Sequence, residues 1–172
     1  FAKPGFALHD LPGGRFRVEH RLEVRRKLAG ADSWETLDLR SGEELPFFAL
    51  IRNGVDLSSC VLADDTIVHP VYGSAAAGDP FRAWVLRSED AGDTWEMVLM
   101  AYDGGVHPFN ESSLLHLPDG RIVAMLRTSS SSKTIPTEEK HLWQTYSEDG
   151  GKTWSAVRKT PMWGYPPQLL LL

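Results

Sequence analysis

The 172-residue chain has a single cysteine, Cys60, so it holds no internal disulfide framework and lacks the thiolates of most zinc sites. No apolar run approaches the roughly 20 residues that a membrane-spanning helix requires. Nor does any stretch of about eleven residues carry an unbroken helical stripe. Gly or Pro interrupts each candidate, and the nearest, "LEVRRKLAG", alternates better as part of a strand, "RFRVEHRLEVRR". Positive charge is short as well. The formal net charge is −5 and the pI about 5.7, which argues against nucleic acid or an anionic membrane surface as a partner. Cys60 stands in "SSCVLADD", the setting of a small core residue rather than a nucleophile. With no leader region in view, composition leaves the compartment open.

What the chain does have is tryptophan, turn residues and short apolar runs. Six Trp, 15 Gly and 11 Pro among runs that end at turns argue for an all-β fold. One passage spells a hairpin: "ESSLLHLPDGRIVAMLRT" turns at Pro118-Asp119-Gly120, where glycine after aspartate supplies positive φ. Fifty-five residues earlier, "DLSSCVLADDTIVHPVYG" repeats the plan, with Asp64-Asp65 at its turn. Each hairpin leads through a polar loop to a third strand, "RAWVLRSED" or "HLWQTYSED", and a fourth, "TWEMVLM" or "TWSAVRK".

A repeated phrase joins third strand to fourth. "SEDAGDTWE" and "SEDGGKTWS" share Ser88, Asp90, Gly92, Thr94 and Trp95 with Ser147, Asp149, Gly151, Thr153 and Trp154. Repeats come before any other reading. Four antiparallel strands recurring every 55 to 60 residues read as propeller blades, which bury one another's faces. The chain is expected to hold the end of one blade (1–40, with "ADSWETLDL" a worn copy of the phrase) and blades over 55–100 and 111–158. A further blade opens over 165–172 at "PPQLLLL". Two and a half to three blades close no ring, so the sequence reads as a piece of a longer protein.

S-x-D-x-G-x-T-W is similar to the Asp-box, or bacterial neuraminidase repeat, of the sialidase superfamily. That resemblance implies a six-bladed propeller as the catalytic domain. It does not assign catalysis to Asp90 or Asp149. In such a turn the aspartate accepts backbone N–H bonds, glycine takes the strained position, and tryptophan packs between sheets. The ten repeat residues are read as structural, on the face away from the blade-to-blade links.

Chemistry is expected at the opposite face. Glu111 lies eight positions before Asp119 and Arg127 eight after it, so an antiparallel hairpin folds an acid and a guanidinium to the same sheet end. An exposed pair of this kind is commonly a solvated ion pair of little value. "FNESSLLHLPDGRIVAMLRT" also resembles a sialidase active-site segment, across Asn110, Glu111 and Arg127. By that resemblance Arg127 is one of three arginines that grip a sugar carboxylate through a planar fork. Glu111 accepts the proton of a tyrosine nucleophile, the exception sialidases make to paired-carboxylate glycosidases. Asp56, at Glu111's place in the preceding blade, is the candidate acid. A turn aspartate is the plainer reading of it, and the family spaces acid and glutamate more widely. Tyr72 corresponds to Arg127 and is a candidate substrate contact, as is Asn110. The resemblance places the tyrosine and the third arginine past Leu172, and the "RIP"-like arginine motif is absent from the sequence. His69 and His107 lie near the same face without metal-ligand spacing, so no metal and no cofactor is expected.

The function implied is exo-α-sialidase-like hydrolysis of terminal sialic acid from glycans, with retention. A sialylated or other acidic glycan is the partner, and that substrate class favours a secreted or periplasmic setting. Two alternatives stand beside it: a non-catalytic carbohydrate-binding Asp-box propeller, or a hydrolase or lyase for another acidic sugar.

Overall fold

A computed structural model describes residues 2–11, 15–27, 30–39, 59–73, 80–128, 141–164 and 166–172. Among these residues every regular element is a strand. β1 (Ala2–Leu11), β2 (Arg15–Arg26) and β3 (Glu35–Leu39) form a three-stranded antiparallel sheet in the order β1-β2-β3. The alternation in "RFRVEHRLEVRR" is thus that of a strand.

Two four-stranded meanders follow. β4 (Cys60–Val61), β5 (Ile67–Gly73), β6 (Arg82–Ser88) and β7 (Glu96–Ala101) pair in chain order. So do β8 (Phe109–His116), β9 (Ile122–Thr128), β10 (His141–Ser147) and β11 (Arg158–Trp163). Their hairpin turns are the same object. Leu62 N–H donates to Thr66 O at 2.9 Å and Leu117 N–H to Arg121 O at 2.8 Å; Asp64 and Asp119 each accept from the N–H two residues on, at 3.1 Å. Asp65, at φ 66°, fills the left-handed position that Gly120 takes at φ 89°.

β5 packs across β8, and one core lies between the two sheets. Val68, Ala83 and Val85 of the first sheet meet Leu114, Ile122, Ala124 and Leu126 of the second, all at most 1 % exposed. Cys60 belongs to this core, and burial pushes its thiol up to about 11, so it stays protonated. Burying Leu- and Ile-sized side chains is worth about 1.5–3 kcal/mol each, which makes this the main adhesion between sheets.

The expected strand "TWSAVRK" begins only at Arg158. Before it, Thr145 Oγ1 donates to Ser155 O at 2.7 Å, and Ser155 Oγ accepts from Tyr146 N–H at 3.2 Å. These side-chain bonds flank one backbone bond, from Ser155 N–H to Tyr146 O at 2.9 Å. Pro161, which has no N–H, lies in the edge strand where no donor is needed. Residues 166–172 run without regular structure, and Leu169 N–H donates to Ser113 Oγ at 3.0 Å.

Candidate functional site

Each sheet has two ends. Ser88 pairs with Ile67 and Ser147 with Ile122, so both Asp-boxes sit at the hairpin-turn end. Tyr72 pairs with Ala83 and Phe109 with Thr128, so Tyr72 lies at the other end of the first sheet and Asn110, Glu111 and Arg127 at the other end of the second.

The two boxes close alike. Ser88 Oγ donates to Asp90 Oδ1 and accepts from Gly92 N–H, both at 2.8 Å. Ser147 does the same toward Asp149 and Gly151, again at 2.8 Å. Asp90 accepts from Thr94 N–H at 2.8 Å and from its hydroxyl at 2.5 Å; Asp149 accepts from Thr153 at 2.9 and 2.5 Å. Trp95 Nε1 donates to Gly92 O at 2.9 Å and Trp154 Nε1 to Gly151 O at 3.2 Å. Hydrogen bonds from Thr94 hold the Asp90 carboxyl at about 2. For Asp149 slight burial works the other way, but the Thr153 bonds prevail and it too lies at about 2. Both carboxylates are committed to their own turns.

At the opposite end Arg127 Nη1 donates to Glu111 Oε2, an ion pair in which the side chains are 18 % and 22 % exposed. Leu126 and Thr128 alternate with Arg127, and Leu126 points into the inter-sheet core, so Arg127 projects from the other face of β9. Asn110 is buried, and its Oδ1 has no hydrogen-bond partner; Thr128 Oγ1, on the facing strand, is in the same state. A buried polar atom left without a partner is unusual in a folded protein. Tyr72 is 5 % exposed and meets Phe81 edge-on at 5.6 Å. Asp56 lies outside the described residues.

A second acid-containing pair at this end was not singled out by the sequence. In the link between the sheets, Asp103 Oδ2 lies 2.5 Å from His107 Nδ1, and its Oδ1 accepts His107 N–H at 3.0 Å. The His107 ring rests 4.5 Å from that of Trp143, which packs edge-on to Phe109 at 5.6 Å. The i, i+4 spacing of Asp103 and His107 was the available signal. Arg82 also stacks over the Tyr102 ring at 4.1 Å, tying the link to the first sheet. His69 is hydrogen-bonded, its Nδ1 2.6 Å from Ser59 Oγ, and burial pushes its imidazole down to about 4. Among the described residues no three His, Cys, Asp or Glu side chains gather to hold a metal. Among the described residues no helix is long and apolar enough to cross a membrane.

Stacked four-stranded meanders, with a repeated turn at one end and an acid–arginine pair at the other, define an Asp-box propeller of the sialidase type. The BNR repeat-like domain profile matches residues 21–165, and the chain belongs to that family. Among solved structures, a protein of unknown function from Dyadobacter fermentans DSM 18053 superposes with a TM-score of 0.69 at 22 % identity. It is matched over 98 % of this chain and 49 % of its own. The leech intramolecular trans-sialidase, complexed with 2,7-anhydro-Neu5Ac, gives a TM-score of 0.59 at 18 % identity over 93 % and 25 % of the two chains. The intramolecular trans-sialidase of Ruminococcus gnavus, in complex with oseltamivir carboxylate, gives 0.54 at 16 % identity over 94 % and 35 %. The chain thus spans between a quarter and a half of these relatives' length. At such identities the likeness is one of fold. A comparison with curated protein sequences found no match.

Proposed function

We propose that the protein is a sialidase-like glycoside hydrolase that removes terminal sialic acid from glycans with retention, and that Glu111 and Arg127 belong to its active site. The supporting observation is their ion pair at the sheet end opposite the Asp-boxes. Arg127 takes the substrate carboxylate in the two-pronged geometry that guanidinium offers. Glu111 accepts the phenolic proton as a tyrosine attacks the anomeric carbon. A neutral phenol approaches a carbon bearing a carboxylate with less repulsion than an anionic nucleophile. Asp56 donates a proton to the leaving oxygen. Asn110 and Tyr72 are assigned to contact with the sugar by their place at the same ends of their sheets.

The test is hydrolysis of a fluorogenic sialoside by the intact protein. Glu111→Gln is expected to lower kcat roughly 10²–10⁴-fold, the range for loss of a general base. Arg127→Lys keeps the charge but loses the fork, and is expected to raise KM. Full activity in both variants would sink the assignment. Sialic acid binding without hydrolysis would favour the carbohydrate-binding reading. Turnover of a different acidic sugar would move the substrate while keeping the clamp.

A further inference from the structure

β8 and β9 keep one register from His116↔Ile122 to Ser112↔Leu126, then another at Phe109↔Thr128. Asn110 and Glu111 therefore oppose the single residue Arg127. This is a β-bulge, which leaves one residue outside the ladder and re-aims its neighbours. Phe109 and Leu114 reveal its effect. Five positions apart, they would face opposite sides of a regular strand, yet both lie in the inter-sheet core. The bulge turns Phe109 inward and leaves Glu111 on the side of Arg127, where the ion pair forms.

A bulge withdraws backbone groups from the ladder, and a buried carbonyl then needs another donor. Ser112 supplies one. Its Oγ donates to Asn110 O at 2.7 Å, and the residue is 2 % exposed. Ser113 has a different task, since its Oγ accepts Leu169 N–H at 3.0 Å. We infer that Ser112 is a positioning residue whose hydroxyl fixes the bulge and, through it, the aim of Glu111 at Arg127. Only the kinetic arm of the test below rests on the proposed function.

The structural arm is a double-mutant cycle on the intact protein, pairing Glu111→Gln with Arg127→Met and read from urea midpoints. The coupling is expected with Ser112 and with Ser112→Thr, which keeps a hydroxyl, and to fall below half with Ser112→Ala. Equal coupling in the Ala background overturns the inference, as does its absence with Ser112. Should Ser112→Ala not fold, Ser112→Cys, whose thiol is a weak donor, takes its place with the same criterion. In the kinetic arm, Ser112→Ala is expected to lower kcat on the sialoside roughly 10–100-fold with KM little changed, as for a misplaced catalytic group. Lost coupling with unaltered turnover would break the proposed role of the pair and leave the positioning intact.

Discussion

The two Asp-boxes use the same five residue types and the same internal hydrogen bonds, yet they sit in different surroundings. The second box is pressed against the first sheet. Gly150 O accepts from Arg87 Nε at 2.9 Å, Lys152 Nζ lies 3.4 Å from Glu89, and Trp154 packs against the inter-sheet core. Trp95 is partly buried, as Trp154 is, but among the described residues it lies outside that cluster. A turn whose partners are four residues apart folds the same way wherever it is written. What the turn then holds together depends on the sheet beside it.

The largest expected difference is at the tryptophans. Trp154→Ala should cost about 3 kcal/mol, the low end for large aromatics because the indole is partly buried. Trp95→Ala should cost about 1–2 kcal/mol, less than an even reading of the two repeats implies. Urea midpoints at unchanged m decide it, and equal losses would erase the distinction.

Next come the glycines. Gly151 has φ 88°, and a Cβ there would stand 3.2 Å from Cγ1 of the fully buried Val68. Gly151→Ala should cost about 2 kcal/mol from backbone strain and overpacking together. At Gly150 the Cβ would meet the Leu62 side-chain tip at 3.3 Å and Arg87 Nη2 at 4.0 Å, both ends of flexible side chains, so Gly150→Ala should cost about 1 kcal/mol. The reverse order in melting temperature would contradict this packing.

Acid should reveal what the boxes share. Asp90 and Asp149 are held at about 2 against an ordinary 3.8. Their folded-state value is depressed, so their contribution is full above about pH 4 and is lost as pH falls toward 2. Asp90→Asn and Asp149→Asn should flatten that limb similarly. His69, depressed to about 4 from 6.5, favours the neutral ring, so its contribution is lost over the earlier window as pH falls from about 6.5 to 4. Thermal midpoints across pH 7 to 2 separate the two, since His69→Gln should alter only the upper window.

The smallest effect is at Ala91, which occupies φ 57° where the second box has Gly150 at φ 72°. Ala91→Gly relieves left-handed strain but frees the unfolded chain, for a net gain of about 0.5 kcal/mol. A loss in melting temperature would mean the alanine methyl makes a contact that outweighs the strain.

By itself the sequence determined whatever depends on near neighbours along the chain. The hairpin turns, the Asp-box bonds and the meeting of Glu111 with Arg127 were all legible, because counting from a turn fixes which residues an antiparallel pair brings together. The tertiary structure decided the rest. Arg87 reaches Gly150 across 63 residues, and no local pattern announces that partner. The bulge at Asn110–Glu111 lets Phe109 and Leu114, five positions apart, both enter one core, and no period-2 pattern in the sequence announces it. Ser112 acquires its role only once that bulge exists. Local hydrogen bonds are specified by residue type and spacing, whereas burial and side-chain aim are specified by the surface that packs opposite.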